Sequence, residues 1–553
     1  MKSLFNKIAG SSNRMFRDIS FLLTVISVIV GMTVTSEAVI APASYVIYKD
    51  GTTYYSQNGQ TGVNDYSGTN AVTVIQSTIN ALTSGGKIFL KAAEYDITAG
   101  GASIDINAKS NIMIQGAGIG NTVLKQTGTV SGQLLEIIKI RGNSKQIVIS
   151  NLTLRGVGDI TNMEQGRQGI RITSSDDIII QNVSFEKIDG AIIRIEPTCN
   201  RVLISSILNT DGLSAGGVTF DGAIDSGLYE SYVRTWDASI TIVRSRRVEV
   251  KNNWLLTMSP SAAIDALTQS ATDIFEDFTV EGNQIYLNGG VGVRYTADSV
   301  INGADVHRFH INRNTISGAN YAIFLAPYSP WGMTEIEIKD NIIKDTGPYQ
   351  GIYIQPGNNN MVGLEIVGNT IIDGQRQGIF ITRGGTGQTY KTIIQSNIIA
   401  RNGKAGTDNQ AVMASYLNEA VILNNIIYDN QTTPTQVGGI YVTGGGNRVQ
   451  IKNNDIGNTT YPVYVSGITY AVINGNQGYV TENNGTASVA NGGTIAHGLA
   501  GTPTSYSVTA TVAKHIAVVT AVNGTNLTIG LHDDMGNPIT TAENVSWHAE
   551  YRP

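Results

Sequence analysis

Four asparagines spaced 28 residues apart constrain this chain more than any other feature: Asn341, Asn369, Asn397 and Asn425. They recur inside IEIKDNIIKDTGPYQGIYI, LEIVGNTIIDGQRQGIFI, TIIQSNIIARNGKAG and VILNNIIYDN. Each unit has an alternating apolar strand, the Asn, a second short apolar run, a Gly-bearing turn and a third alternating strand. A fixed period of this length, built only from strands and turns, specifies a solenoid. Three strands per coil then stack on the next coil at about 4.8 Å, with Ile and Val inward and the residues between them outward. Asn suits the sharp corner because it tolerates a left-handed backbone, and stacked amides can hydrogen-bond along the column. Extending the register adds Asn151, Asn182, Ser206, Ser231, Asn253, Asn283 and Asn314 upstream, and Asn454 and Asn476 downstream, giving thirteen rungs.

The composition agrees with turn-rich β structure, since Gly is 62 of 553 residues and charged residues are only 14%. A net charge of −6 without a long basic run excludes nucleic acid as a natural partner. Cys199 is the only cysteine, so neither an internal disulfide nor a thiol-based metal site can form. Residues 1–41 read as a targeting segment: Lys2, Lys7, Arg14 and Arg17 precede the 14-residue apolar run Phe21–Val34. That length fits a secretory signal, with an uncleaved membrane anchor as the alternative. Either reading places the remainder secreted or at the cell surface.

Residues 42–85 hold a hairpin around Asp50-Gly51 and a short helix, in which Val74, Ile75, Ile79 and Leu82 fall on one face. Such a helix would cover the open apolar end of the first coil. The solenoid should run over 86–480. From 484 to 553, SYSVTATV, IAVVTAV, NLTIGL and NVSWHAEY alternate between Asn-Gly and Gly-Asn-Pro turns and suggest a C-terminal β-sandwich. Four of the six histidines fall there (His497, His515, His532 and His548) and read as scattered surface residues.

The helix, the stretch NIMIQGAGIGNTVL and the Asn ladder together resemble the pectate-lyase-like right-handed parallel β-helix family, which includes pectate lyases, polygalacturonases and phage tailspikes. The resemblance implies an all-β solenoid whose substrate lies along the outer face of the GIxI strand. Activity does not follow, because this fold hosts many functions. The paired Asp, Gly-His-Gly and Arg-Ile-Lys set of polygalacturonases is missing here, as are the Ca²⁺ aspartates of pectate lyases.

On that strand the outward residues include Arg171, Arg194 with Glu196, Thr219 with Asp221, Thr241, Asp265 and Arg294, followed by Phe324, Tyr353, Phe380, Tyr441 and Tyr464. Charges occupy the first half of the face and aromatics the second. Glu196 and Asp221 should be about 5 Å apart on adjacent rungs, and Asp221 and Asp265 roughly 9 to 10 Å apart on one solvent-facing column. Two carboxylates so placed can divide acid and base roles in glycoside hydrolysis. They could instead hold Ca²⁺ against an acidic sugar, with Arg194 or Arg294 neutralising a uronate or taking its proton. The structural alternative is a plain ion-pair ladder. Long turns beside the charged half supply Tyr328, Trp331 and His307 as walls, and with Tyr353 and Phe324 these are the expected sugar-contacting residues. The expected partner is a polysaccharide, acted on by lyase or hydrolase chemistry or bound without turnover as in an adhesin. A homotrimer is the expected assembly.

Overall fold

In a computed structural model, the structure describes residues 43–98, 103–127, 136–158, 167–212, 214–268, 275–297, 306–327, 332–406 and 409–552. The expected leader at 1–41 therefore lies outside the described residues. From Gly86–Leu90 to Ala471–Asn474 the chain coils as a right-handed parallel β-solenoid, and helix longer than a turn is confined among the described residues to Ala71–Ala81. One face is a 14-stranded parallel sheet that begins at Ile104–Asn107 and ends at Tyr461–Val465. Each coil adds one strand here, from Glu136–Arg141 and Gln168–Ile172 through Gly216–Asp221, Ala262–Thr268, Val291–Ala297 and Tyr321–Pro327 to Gly438–Thr443. We call it the front sheet. The other two strands of each coil flank the Asn corner, as in Val306–Asn312 and Thr315–Ser317.

Alternation works as the pattern requires. Ile138, Ile170, Ile193, Val218, Ile240, Ile264, Val293, Ile323, Ile352, Ile379, Val412 and Ile440 are all fully buried and stack rung on rung. Each such side chain contributes about 1.5–3 kcal/mol on leaving water. The coils approach so closely where the front strand begins that Gly351 has no room for more. A Cβ there would lie 2.7 Å from the carbonyl oxygen of Gly378 in the next coil.

Nine asparagines form an unbroken buried amide ladder: Asn253, Asn283, Asn314, Asn341, Asn369, Asn397, Asn425, Asn454 and Asn476. The geometry repeats. Asn341 Nδ2 donates to Asn369 Oδ1 at 2.9 Å and to the Ile311 carbonyl at 2.7 Å, while its backbone N–H donates to the same Asn369 oxygen at 3.0 Å. Every buried amide is thus satisfied by its neighbours. Ser231 joins the ladder through its backbone N–H, which donates to Asn253 Oδ1 at 3.0 Å.

Two expectations are corrected here. The left-handed residue is the one before the ladder position, namely Asn252, Gly282, Arg313, Asp340, Gly368, Ser396, Asn424, Asn453 and Gly475. The ladder Asn is selected for its amide, not for backbone tolerance. Asn151, Asn182 and Ser206 are themselves left-handed and fall in that preceding column, with apolar Leu152, Val183 and Ile207 at the ladder level. They are not rungs of the buried ladder.

A second left-handed column, at the corner entering the strand before the Asn turn, was not anticipated. It reads Asp177, Arg201, Asp225, Arg247, Asp277, Arg308 and Glu335, alternating in charge from coil to coil. Arg201 is bidentate on Asp177, Arg247 on Asp225 and Arg308 on Asp277.

At the N-terminus, Tyr45–Asp50 and Thr53–Asn58 form the hairpin, and Asn70 caps the helix Ala71–Ala81. The Gln76 side chain of this helix donates to the Asp105 carbonyl and accepts from the Asp105 N–H, both at 2.9 Å, as a further strand would. At the C-terminus, Glu482–Val489, Glu543–Glu550 and Ser505–Ala510 form one antiparallel sheet. Thr494–Ala496, Asn526–His532 and Ile516–Val522 form another. The two share a core of Leu527, Ile529, Leu531, Val545 and Trp547. His497 is not a surface residue: it is fully buried, its Nδ1 accepts from the Leu499 N–H, and its Nε2 lies 3.0 Å from the Asn523 carbonyl. Cys199 is also buried, which pushes its thiol up to about 11 and leaves it unreactive.

Asn369→Ala would strand the Asn341 N–H and amide and the Ile338 carbonyl, costing about 1–3 kcal/mol for a buried group left unpaired. Hydrogen exchange should show the loss at the Asn341 amide. Asn182→Gly keeps the left-handed backbone and lies outside the buried ladder, so it should change stability by less than about 0.5 kcal/mol in the same assay. A second expectation concerns acid. Hydrogen bonds from Arg201, Arg247 and Arg308 hold Asp177, Asp225 and Asp277 below the usual carboxylate range. A depressed folded-state pKa gives stability that is present above the unfolded value, about 4, and is lost as pH falls through the folded one. Melting temperature should therefore decline below about pH 4, and Arg247→Gln should shrink that decline.

Candidate functional site

Register on the front sheet puts one outward column in line: Asp105, Lys139, Arg171, Arg194, Thr219, Thr241, Asp265, Arg294, Phe324, Tyr353, Phe380, Met413, Tyr441 and Tyr464. The division into a charged half and an aromatic half is real. Glu196 and Asp221 lie on a neighbouring column two residues further along the strands, on adjacent rungs about 4.8 Å apart. Asp221 and Asp265 share the face. Asp221 is level with Val243, whereas Asp265 pairs with Thr241, so two rungs and one pleat repeat separate their Cα atoms by about 12 Å. That is wider than the spacing expected from one column.

The acids point outward yet are covered. Asp221 and Asp265 are each only 7% exposed, because arginines from the next rung lie flat across them. Arg294 is bidentate on Asp265 at 2.7 and 2.6 Å, and Arg244 is bidentate on Asp221 at 2.6 and 3.2 Å. Arg171 bridges Glu196, at 3.0 and 2.9 Å, and the buried Glu136, at 2.9 Å. Burial works against the Arg171 charge, but its two carboxylate partners outweigh that and raise its pKa. Arg194 is held more loosely. Its Nε lies 3.4 Å from Glu196 without hydrogen-bond geometry, its Nη2 lies 3.9 Å from Asp221, and its side chain is 39% exposed. Among the expected catalytic groups, Glu196, Asp221 and Arg194 come together, whereas Asp265 and Arg294 form a separate pair two rungs away.

Sequence reasoning missed Arg244 and Glu136. Arg244 carried a signal, since RSRR follows the strand Ile240–Val243, but its left-handed backbone turns it back over Asp221. A Ca²⁺ site does not fit this carboxylate set: the acid oxygens already receive guanidinium donors, and a cation would sit against arginine charge. Among the described residues no group of three acidic, histidine or cysteine side chains is placed to hold a metal ion.

In the aromatic half, Phe324 stacks on Tyr353 at 4.9 Å and 6°, and Tyr321 stacks on Tyr349 at 4.5 Å and 3°. Arg376 covers the Tyr349 ring at 5.9 Å and Phe380 tilts against Tyr353 at 5.6 Å. Phe324 and Tyr353 thus cover each other's faces, as do Tyr321 and Tyr349, while Tyr321 meets Phe324 edge-on at 5.0 Å. Toward the last coils the strip opens, with Tyr464 49% and Tyr461 59% exposed. Tyr328 and Trp331, expected as walls, lie outside the described residues. His307 is not on the front sheet at all: it is the second residue of the strand Val306–Asn312, level with Glu276 and Thr334, and its Nδ1 lies 2.5 Å from Thr334 Oγ1.

Comparison with known proteins bears on the fold. Residues 270–389 match the right handed beta helix region family. The match covers about a fifth of the chain and agrees with the right-handed parallel coil seen there. Among solved structures, this β-helix is similar to a family 28 exopolygalacturonase from Yersinia enterocolitica, at 11% identity and a TM-score of 0.44, covering 73% of this chain and 84% of that one. It is similar to the tailspike protein gp49 of Pseudomonas phage LKA1, at 11% identity and 0.42, covering 87% and 92%. The A-module of mannuronan C-5 epimerase AlgE4 from Azotobacter vinelandii follows at 15% and 0.37, covering 73% and 93%. No curated protein matches.

The pairing geometry separates two arginines that the sequence treated alike. Arg294→Gln leaves the covered Asp265 without its bidentate partner and should destabilise the protein by about 1–3 kcal/mol in denaturant melts. Arg194→Gln, loosely held, should stay within about 0.5 kcal/mol of wild type.

Proposed function

We propose that this β-helix acts outside the cell on a polysaccharide, which it holds along the outer face of the front sheet. The observation that carries this reading is the strip Phe324, Tyr353, Phe380, Tyr441 and Tyr464, in register with Met413 as its one non-aromatic member and opening from stacked rings to exposed ones. Pyranose rings offer flat C–H faces and a rim of hydroxyls. The open rings of Tyr461 and Tyr464 suit the faces, and the ring edges and hydroxyls of Tyr321, Tyr349 and Tyr353 suit the rim. Side chains held on a regular sheet also need little further ordering when a ligand binds, so the protein adds little to the entropy cost of association.

A hydrolase or lyase step is a second reading, favoured by one arrangement. Glu196 and Asp221 are carboxylates on adjacent rungs, near the separation at which retaining glycosidases divide nucleophile and acid roles, with Arg194 between them. In this reading Arg194, whose Nε lacks a hydrogen-bond acceptor among the described residues, would orient the substrate. The bidentate hold of Arg244 on Asp221 argues for binding as the primary role, because it occupies both carboxylate oxygens.

Binding and turnover on a polysaccharide panel separate the readings. Tyr464→Ala and Tyr353→Ala should each weaken binding by about 1 kcal/mol, the scale of an aromatic contact. If reducing ends or unsaturated products appear, Glu196→Gln and Asp221→Asn should lower their rate by about 10²-fold or more. Unchanged binding in both Tyr variants would remove the strip from the site.

A further inference from the structure

A second candidate site lies away from the front sheet, on the outer surface of the strands that precede the Asn corner. A cleft of about 420 Å³ is lined there by Asp225, Ser226, Tyr229, Arg247, Glu249, Asp277, Thr279 and His310. It has the size of a small-molecule pocket. The cause is a gap in an outward column that runs Leu203, Gly227, Glu249, Thr279, His310 and Glu337. Gly227 has no side chain, and the Tyr229 ring folds over it so closely that a Cβ there would meet the Tyr hydroxyl at 2.5 Å. Thr279 is short. The Tyr229 ring fills the space over Gly227, so the floor is lowest at Thr279, between Glu249 and His310, which stand two strand spacings or about 10 Å apart.

The walls are polar and already matched in charge. On one side runs the alternating corner, with Arg247 on Asp225 and Arg308 on Asp277. On the other, Tyr229 donates to Glu249 at 2.9 Å and Lys251 lies 2.7 Å from the same carboxylate. The Tyr229 phenol is driven far up by burial and by this acceptor, so it remains a donor throughout the neutral range. At the end of the cleft His310 Nδ1 lies 3.0 Å from Glu337.

Each lining carboxylate thus carries its own cation, and a charged ligand would have to displace one. A hydroxyl does not, since it donates to the spare lone pairs of a paired carboxylate and accepts from the spare N–H groups of a paired guanidinium. We propose that this cleft binds a neutral, hydroxyl-rich sugar unit. The site is independent of the aromatic strip, and its test does not rest on that reading.

The test is calorimetric titration of the full chain with four probes: maltotriose, cellotriose, trigalacturonate and spermidine. At least one neutral trisaccharide should bind, about tenfold or more tighter than trigalacturonate or spermidine, the cost of breaking one charged hydrogen bond. Thr279→Trp, which fills the floor, and Glu249→Gln, which keeps its shape, should each weaken that binding about tenfold. Both variants are also compared in a Tyr464→Ala background, which removes the front-sheet ring, and should weaken the binding that remains there. Thermal melts establish that Thr279→Trp is folded, and Glu249→Gln decides the matter if it is not. Preference for spermidine or trigalacturonate would overturn the proposal. So would the absence of binding by either neutral sugar, or neutral-sugar binding lost in Tyr464→Ala but kept in Glu249→Gln.

Discussion

Everything in this molecule depends on one buried column of side-chain amides. Each ladder Asn is satisfied only if the next coil places another amide oxygen about 3 Å away, as Asn369 Oδ1 does for Asn341. The hydrogen bonds of one rung are therefore conditions on the next, and the column links coils that have few local reasons to stay in step. With the inward Ile and Val columns, it fixes pitch and register from Ser231 to Asn476. Outward positions are left to vary. That freedom lets one coil geometry carry charges over Arg171–Arg294, aromatics over Phe324–Tyr464, and a polar cleft on another face.

Charge is organised by the same stacking. Two ion-pair systems run along the solenoid, one on the front sheet and one at the left-handed corner from Asp177 to Arg308. In both, an arginine from one coil covers a carboxylate on the coil beside it. The outcome is a surface of fixed dipoles with little net field, suited to grip hydroxyls and poorly suited to hold a divalent cation. Acids whose oxygens are occupied in this way are better at positioning a ligand than at moving a proton.

The fold was legible because its determinants are periodic and few in kind. The 28-residue Asn interval, the alternation of Ile and Val, and the Gly at tight approaches can each be read without coordinates. The upstream rungs were misread by one position because Asn151 and Asn182 serve the left-handed corner, where Asp340, Gly368, Ser396 and Arg313 serve equally well. Letter identity cannot distinguish an amide kept for its hydrogen bonds from one kept for its backbone. Register was enough to predict the outward column, but not its exposure. Asp221 and Asp265 look solvent-facing by alternation, and only the conformations of Arg244 and Arg294 cover them. The alternating corner escaped notice because its intervals vary from 22 to 31 residues.

The central claim, that the front sheet is a polysaccharide track, is tested most directly by a structure of the protein with a bound oligosaccharide of at least six units. The account predicts a chain running across successive rungs, with one sugar face on Tyr464 or Tyr461 and sugar hydroxyls at Tyr353 and Tyr349. Density confined to the strands flanking the Asn corner, with the front sheet bare, would contradict it.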